Sequence, residues 1–385
     1  MPKFNKLKKL ICLAVLSVLL LTPHNGESWG FFAHRRINRL AVFCLPPEMI
    51  GFYKHYIVYL TENAVNPDRR RGIVKEEPPR HYIDLDIYGD SAWYKLPHRW
   101  DDAIAQYTED TLQKYGIVPW HIQFMKYRLT KAFENKNVRD ILRLSADLGH
   151  YIGDGNVPLH TTENYNGQKT NQIGIHGFWE SRLPELFSDN YDYFVGHAEY
   201  EKSTKERAWQ GVLEAHLALD SVLGFEKQLT EKFSQDRKYG FEQRGNVNTK
   251  VYSREFSDAY HRMLAGQVER RMRRSIKMVA DFWYTCWVDG GQPDLMALIS
   301  NIKPEELKDL EEDLQNSPSP NFTPRAGEEA SIHHLDEVLW GCCHREIGSD
   351  VCGTVQTSEE PENIKTDSKE PQVIKSKKHS HKHVH

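Results

Sequence analysis

The chain of 385 residues is poor in the features that mark several large protein classes. Its one long apolar run, Leu10 to Leu21, is twelve residues broken by Ser17, whereas crossing a bilayer takes roughly 20. With a mean hydropathy of −0.65, a polytopic membrane protein is excluded. Cysteine is scarce, six in all, with no Cys-x-x-Cys, so neither a zinc ribbon nor a thioredoxin-type site is suggested. The formal charge is −4, which lacks the overall basic footprint of a nucleic-acid binder. Strand patterns are rare between Trp29 and about Leu314, no internal repeat is visible, and no Ser-His-Asp arrangement is evident. What is present is 39% hydrophobic residues, enough for a sizeable core, and 19 histidines, a surplus that points to metal.

The two ends separate from the rest. Residues 2–9 carry four lysines, the apolar run follows, and small residues stand three and one before Trp29. That is the layout of a secretory signal peptide, residues 1–28, cleaved before Trp29. The expected destination is periplasmic or secreted. Its removal takes Lys+Arg from 50 to 46 and Asp+Glu from 54 to 53, so the mature charge becomes −7. From about Thr354 the chain is Ser, Glu, Pro, Lys and Asp without aromatics and ends in KSKKHSHKHVH. This composition predicts a disordered His-rich tail, 354–385. Export permits disulfides among Cys44, Cys286, Cys342, Cys343 and Cys352. Cys44 could meet Cys286, and the odd number leaves at least one thiol unpaired.

Between the ends, apolar residues recur at three and four spacings, the helical period. The clearest stretches are Ile37–Phe43, Met49–Leu60, Ala103–Tyr115, His121–Phe133, Val138–Ile152, Phe178–Phe187, Ala208–Phe233 and Phe256–Val288. They predict one all-α domain over 29–300, then a helical and linker segment over 301–353. The arginines 270, 271, 273 and 274 read as a solvated basic face, and the isolated histidines at 55, 98, 121, 197, 216 and 261 as surface or satisfied core residues.

One stretch concentrates chemistry. His150 and Asp154 are four apart, hence on one helix face, and Pro158 ends that helix so that His160 follows from a loop. His176 and Glu180 repeat the spacing of four. Three imidazoles and two carboxylates within thirty-one residues are the ligand types zinc takes when thiolates are absent.

H-x3-D-x5-H followed by H-x3-E resembles the zinc-dependent phospholipase C and S1/P1 nuclease superfamily. The resemblance implies an all-α, single compact multi-helix domain of the phospholipase C/P1 nuclease type holding three zinc ions. It also implies ligands upstream, matched here by Trp29 (its free amine and carbonyl), His34 in WGFFAH, Asp68 in NPDRRR and His81 in RHYID. One zinc would take Asp68, His81, His150 and Asp154. A second would take Trp29 and His34 and share Asp154, and a third, more open, would take His160, His176 and Glu180. The implied activity is phosphodiester hydrolysis by a metal-activated water, with Asp68, Asp154 and Arg71 catalytic and Tyr82 and Asp84 holding substrate.

The branches of that superfamily divide on substrate. Glu180 in GIHGFWE resembles the phospholipase C branch, and the Gly-Gly-Asn typical of the nucleases is replaced by NYNGQ. Arg71, third after Asp68, resembles the transition-state arginine of the nucleases. The expected substrate is phospholipid, with transient membrane-surface contact. Single-stranded nucleic acid is the alternative, and a secreted, non-catalytic zinc-binding protein the second. A monomer is expected.

Overall fold

The computed structural model describes residues 30–89, 91–244, 247–300, 305, 308–310 and 312. The signal segment, Trp29, most of 301–353, the tail 354–385 and Cys342, Cys343 and Cys352 lie outside the described residues.

The described chain is mostly helical, as the periodicity predicts. Five helices frame it: α1 (Phe31–Val42), α2 (Val118–Glu134), α3 (Val138–Asp154), α4 (Thr204–Leu217) and α5 (Gln267–Asp289). Helix α3 is central and packs on α1, α2 and α5, with α4 lying against α2. Its start is fixed by Asn137, whose Oδ1 accepts the Asp140 amide at 2.9 Å, an N-cap. From Leu144 to Asp154 every residue is buried, so this half of the helix has no solvent face, the mark of an element enclosed by others.

Close approach depends on one glycine. A Cβ at Gly149 would overlap the Asn38 Oδ1 of α1, and Asn38 Nδ2 meanwhile donates to the Ala146 carbonyl at 3.1 Å. The absent side chain therefore lets α1 bond directly to the α3 backbone. The largest fully buried side chains of the described residues include Trp283, Trp209, Trp179, Tyr53 and Phe133.

Several long helical stretches are broken. Ala103–Tyr115 is two helices, 100–107 and 109–115, parted at Thr108 with φ 66°. Phe256–Val288 is likewise Arg254–Met263 and α5, parted by Ala265 (φ 48°) and Gly266 (φ 76°). Ala208–Phe233 divides at Ala218 into α4 and Leu219–Thr230. The expectation of scarce strands meets one exception, an antiparallel hairpin of β1 (Tyr239–Arg244) and β2 (Val247–Tyr252), with Tyr239 opposite Tyr252. It is pinned beside the Glu180 segment: Tyr252 stacks on Phe178 at 3.8 Å, and Arg182 binds Glu242.

Two other expectations are corrected. Cys44 and Cys286 are not joined to each other; both are buried, and burial pushes the Cys286 thiol up to about 12. Arg271 does not belong to a solvated face. It is buried, with Nε and Nη2 donating to the Asn156 carbonyl at 2.9 Å and the Asn156 Oδ1 at 2.7 Å. Arg273 and Arg274 do stay near the surface and pair with Asp192 and Glu214.

Candidate metal centre

The C-terminal end of α3 presents His150 and Asp154 to four neighbouring elements, which carry His34, Asp68, His81 and His160. Helix α1 supplies His34, whose ring stacks on that of His150 at 3.8 Å. A Cβ at Gly153 would stand 3.1 Å from His34 Nδ1, so glycine there leaves the ring its place. The short helix Asn66–Arg70 brings Asp68, with Pro67 in its first turn. A 3₁₀ turn over Pro78–His81 brings His81, and another over Pro158–Thr161 brings His160. His176 and Glu180 come from Ile175–Gly177 and the wider π turn Phe178–Arg182 that continues it. A π turn inside a helix is a frequent device at functional sites.

Three groups result, each with ligand atoms within 4.8 Å of one another: His34, His150 and Asp154; Asp68, His81 and His150; and His160, His176 and Glu180. Their distances allow a test of fit. At the ~2.0–2.2 Å bond lengths of nitrogen and carboxylate ligands, tetrahedral ligands stand roughly 3.3–3.5 Å apart. From His81 Nδ1, Asp154 Oδ2 lies at 2.8 Å, His150 Nε2 at 3.1 Å and Asp68 Oδ1 at 3.6 Å. From His150 Nε2, Asp154 Oδ2 lies at 3.2 Å and Asp68 Oδ1 at 3.7 Å. Five of the six edges of one tetrahedron thus bracket the expected value. In the third group His176 Nε2 is 3.1 Å from His160 Nε2 and 2.9 Å from Glu180 Oε2, with His160 Nε2 at 3.5 Å from the same oxygen.

The outer hydrogen bonds support the same fit. His150 Nδ1 faces the Ala64 carbonyl at 2.8 Å, His160 Nδ1 the His81 carbonyl at 2.5 Å, and His176 Nδ1 the Tyr165 carbonyl at 3.2 Å. A carbonyl can only accept, so each ring carries a proton there and, when neutral, turns a lone pair inward. Two inward lone pairs 3.1 Å apart repel unless a cation lies between them. These groups could hold metal ions.

Asp154 joins the first two groups. Its Oδ2 serves His81 and His150, while Oδ1 is 3.4 Å from His34 Nε2 and 3.7 Å from His160 Nδ1. In the metal-free protein, burial opposes its ionisation, but His150 and His160 hold its carboxyl well below the usual range. Burial likewise works against charge on His150, and Asp154 and Asp68 overcome it to lift the imidazole to about 9. Burial, then His150, lowers His34 to about 4. The third group is the accessible one: the His176 side chain is 13% exposed against 0% for His34, His81 and His150.

The remaining expected residues divide. Arg71 Nη1 is 3.5 Å from Asp68 Oδ1, and burial, then the Arg71 charge, lowers His176, so Arg71 stands at the edge of the ligand groups. Tyr82 is half-buried beside it, with its hydroxyl donating to the Lys114 carbonyl at 3.3 Å. Asp84 is buried, and burial with Asp86 and Glu163 pushes its carboxyl up to about 7. No described contact joins Asp84 to the ligand atoms. Trp29 lies outside the described residues, but Gly30 is described and buried. A Cβ there would overlap the side chain of Ser181, next to Glu180, so the chain just after Trp29 runs against the third group's segment.

Sequence reasoning missed Glu77. It is fully buried, 3.6 Å from His81 Nε2, and accepts from Arg80 at 2.7 Å, Arg70 at 3.4 Å and the Tyr151 hydroxyl. It stands behind His81, where carboxylates stand behind metal-bound imidazoles, though at 3.6 Å the two are not hydrogen-bonded. The signal was present: Glu77 and His81 are four apart, the same spacing as the two pairs already noted.

Compared with known proteins, the chain matches no family profile, and no curated protein matches it.

Proposed function

We propose that the protein is an exported zinc-dependent phosphodiesterase of the phospholipase C and S1/P1 nuclease type, acting first on phospholipids. The observation that carries this reading is the gathering of His34, Asp68, His81, His150, Asp154, His160, His176 and Glu180, named by motif from four separate stretches, into adjacent groups with tetrahedral spacing. The donor set of imidazoles and carboxylates without thiolate suits zinc in hydrolytic sites. Trp29, freed by cleavage of residues 1–28, would complete the His34 group with its amine and carbonyl. The run of Gly30 along Ser181 supports that position.

When bound, closely spaced zinc ions acidify water towards a pKa of ~7 and draw charge from phosphoryl oxygens. The chain's own residues do the rest. Asp154 holds two groups in register through its two oxygens. Glu77 places a carboxylate behind His81, and the Ala64, His81 and Tyr165 carbonyls fix the tautomers of His150, His160 and His176. Arg71 offers a guanidinium to a phosphoryl oxygen. Its position beside Asp68 and His176 favours a second reading, cleavage of single-stranded nucleic acid, in which Tyr82 stacks on a base. Glu180 and the segment NYNGQ favour phospholipid.

The test offers the zinc-loaded mature protein phosphatidylcholine and single-stranded DNA side by side. Three tightly held zinc equivalents and turnover of phosphatidylcholine are expected. Turnover of DNA alone would move the assignment to the nuclease reading. Tight zinc with neither ester cut, or capacity lost on deleting residues 371–385, would leave a zinc-binding protein.

A further inference from the structure

Behind His81, on the side away from the ligand atoms, lies a pocket of about 160 Å³. Four guanidiniums line it, Arg70, Arg80, Arg128 and Arg143, with His121 and one carboxylate, Asp147. That carboxylate is already held by Arg70 at 3.0 and 3.3 Å, and Glu77 holds Arg80 from the metal side. Arg143 pairs at 2.9 Å with Asp140, which does not line the pocket. Arg128 has no carboxylate partner among the described residues; its guanidinium lies 5.6 Å from the Phe124 ring centroid. The pocket therefore holds more positive charge than its own acids balance.

His121 supplies an independent sign. It is only 7% exposed, and its Nε2 has no hydrogen-bond partner. A buried polar atom left unsatisfied is costly, and an outside partner in the pocket would recover this. Burial, then Arg80, lowers the imidazole to about 3, so near neutral pH it is uncharged and carries a single N–H. That hydrogen can donate from Nε2 to an acceptor among the guanidiniums.

We propose that this pocket binds one small tetrahedral oxyanion, either free phosphate or the terminal phosphate of a phosphomonoester. Guanidiniums recognise such oxygens in pairs, and the His121 Nε2–H fits a further one. The size argues against larger ligands, because pockets for drug-sized molecules run ~300–1,000 Å³. The site is separate from the metal ligands, divided from them by Glu77 and the His81 ring.

Sulfate is the probe, since it shares the geometry and is a weak metal ligand. It is titrated calorimetrically into the full-length mature protein, metal-loaded and again after stripping with EDTA. One sulfate per chain is expected in both forms, with the ¹⁵N signal of His121 Nε2 shifting as it binds. Arg128→Gln combined with Arg143→Gln, both at the surface, should weaken binding at least tenfold, and His121→Phe should do the same. Inorganic phosphate and glycerol 3-phosphate then separate the sources: equal binding identifies a phosphomonoester site, and binding of inorganic phosphate alone a free-anion site. Absence of sulfate binding, or binding that the arginine double variant leaves unchanged with His121 unshifted, would overturn the proposal.

Discussion

Replacing Asp154 with asparagine changes almost no volume and removes one charge from a fully buried position. The wild-type carboxylate has one oxygen in each of two ligand groups, 2.8 Å from His81 Nδ1 and 3.4 Å from His34 Nε2. An amide keeps one oxygen and presents an NH₂ donor, unable to ligate, to the other group. Whichever way it turns, one group loses a ligand atom and both lose the charge. Loss of an outer partner alone costs metal sites 10–100-fold, so loss of a shared ligand should cost each group at least ~100-fold, or about 2.7 kcal/mol. The third group has Glu180 as its own carboxylate and should be spared. Dialysis against buffered free zinc, followed by emission spectroscopy, should therefore find about one equivalent in Asp154→Asn. Glu180→Gln should do the reverse and lose one equivalent while retaining two. Phosphodiester hydrolysis should vanish in the first variant. Retention of three equivalents and of activity by Asp154→Asn at the same free zinc would refute the shared-carboxylate geometry.

Stability of the metal-free protein should depend on pH through His150. Its folded pKa of about 9 exceeds the unfolded value of 6.5, so its contribution is fully present below 6.5 and is lost as pH rises to 9, about 3 kcal/mol in all. Urea denaturation of EDTA-treated protein at pH 6.5 and 9 should register that fall, and zinc-loaded protein should not. Gly149→Ala should force α1 off α3 through Asn38, lowering stability by ~1–3 kcal/mol; thermal melts and loss of zinc from the His34 group report it. Asp84→Asn removes a carboxyl whose folded pKa lies about three above its unfolded value. The wild type loses stability as pH rises from 4 to 7, so the variant should melt higher at pH 8, with the difference closing towards pH 4.

Ligand pairs within one element were legible because a spacing of four places two side chains on one helix face. His150 with Asp154 and His176 with Glu180 needed no tertiary information. The outer shell was less legible. Glu76 and Glu77 are adjacent acids in KEEPPR, and only packing decides that Glu77 is buried while Glu76 is exposed. The helix break at Thr108 is hidden because a non-glycine residue takes the positive φ there, without the usual punctuation, whereas the break at Ala265 does carry a glycine, Gly266, in the next position. The hairpin was hidden because YGFEQR and VNTKVY are too polar to alternate cleanly. Arg271 and Arg274 are indistinguishable by composition, and only the placement of Asn156 makes one structural and the other superficial.

The clamp of Arg271 on Asn156 has a consequence in time. It reaches 115 positions down the chain to brace the corner between Asp154 and His160. A chain emerging from the ribosome or from an export channel will have presented every ligand by Glu180, yet its corner stays unbraced until α5 arrives. On the proposed function, metal capture would be deferred until the chain has reached Arg271. If the proposed function holds, a truncated product ending before Arg271 would carry all the candidate ligands and still compete poorly for metal.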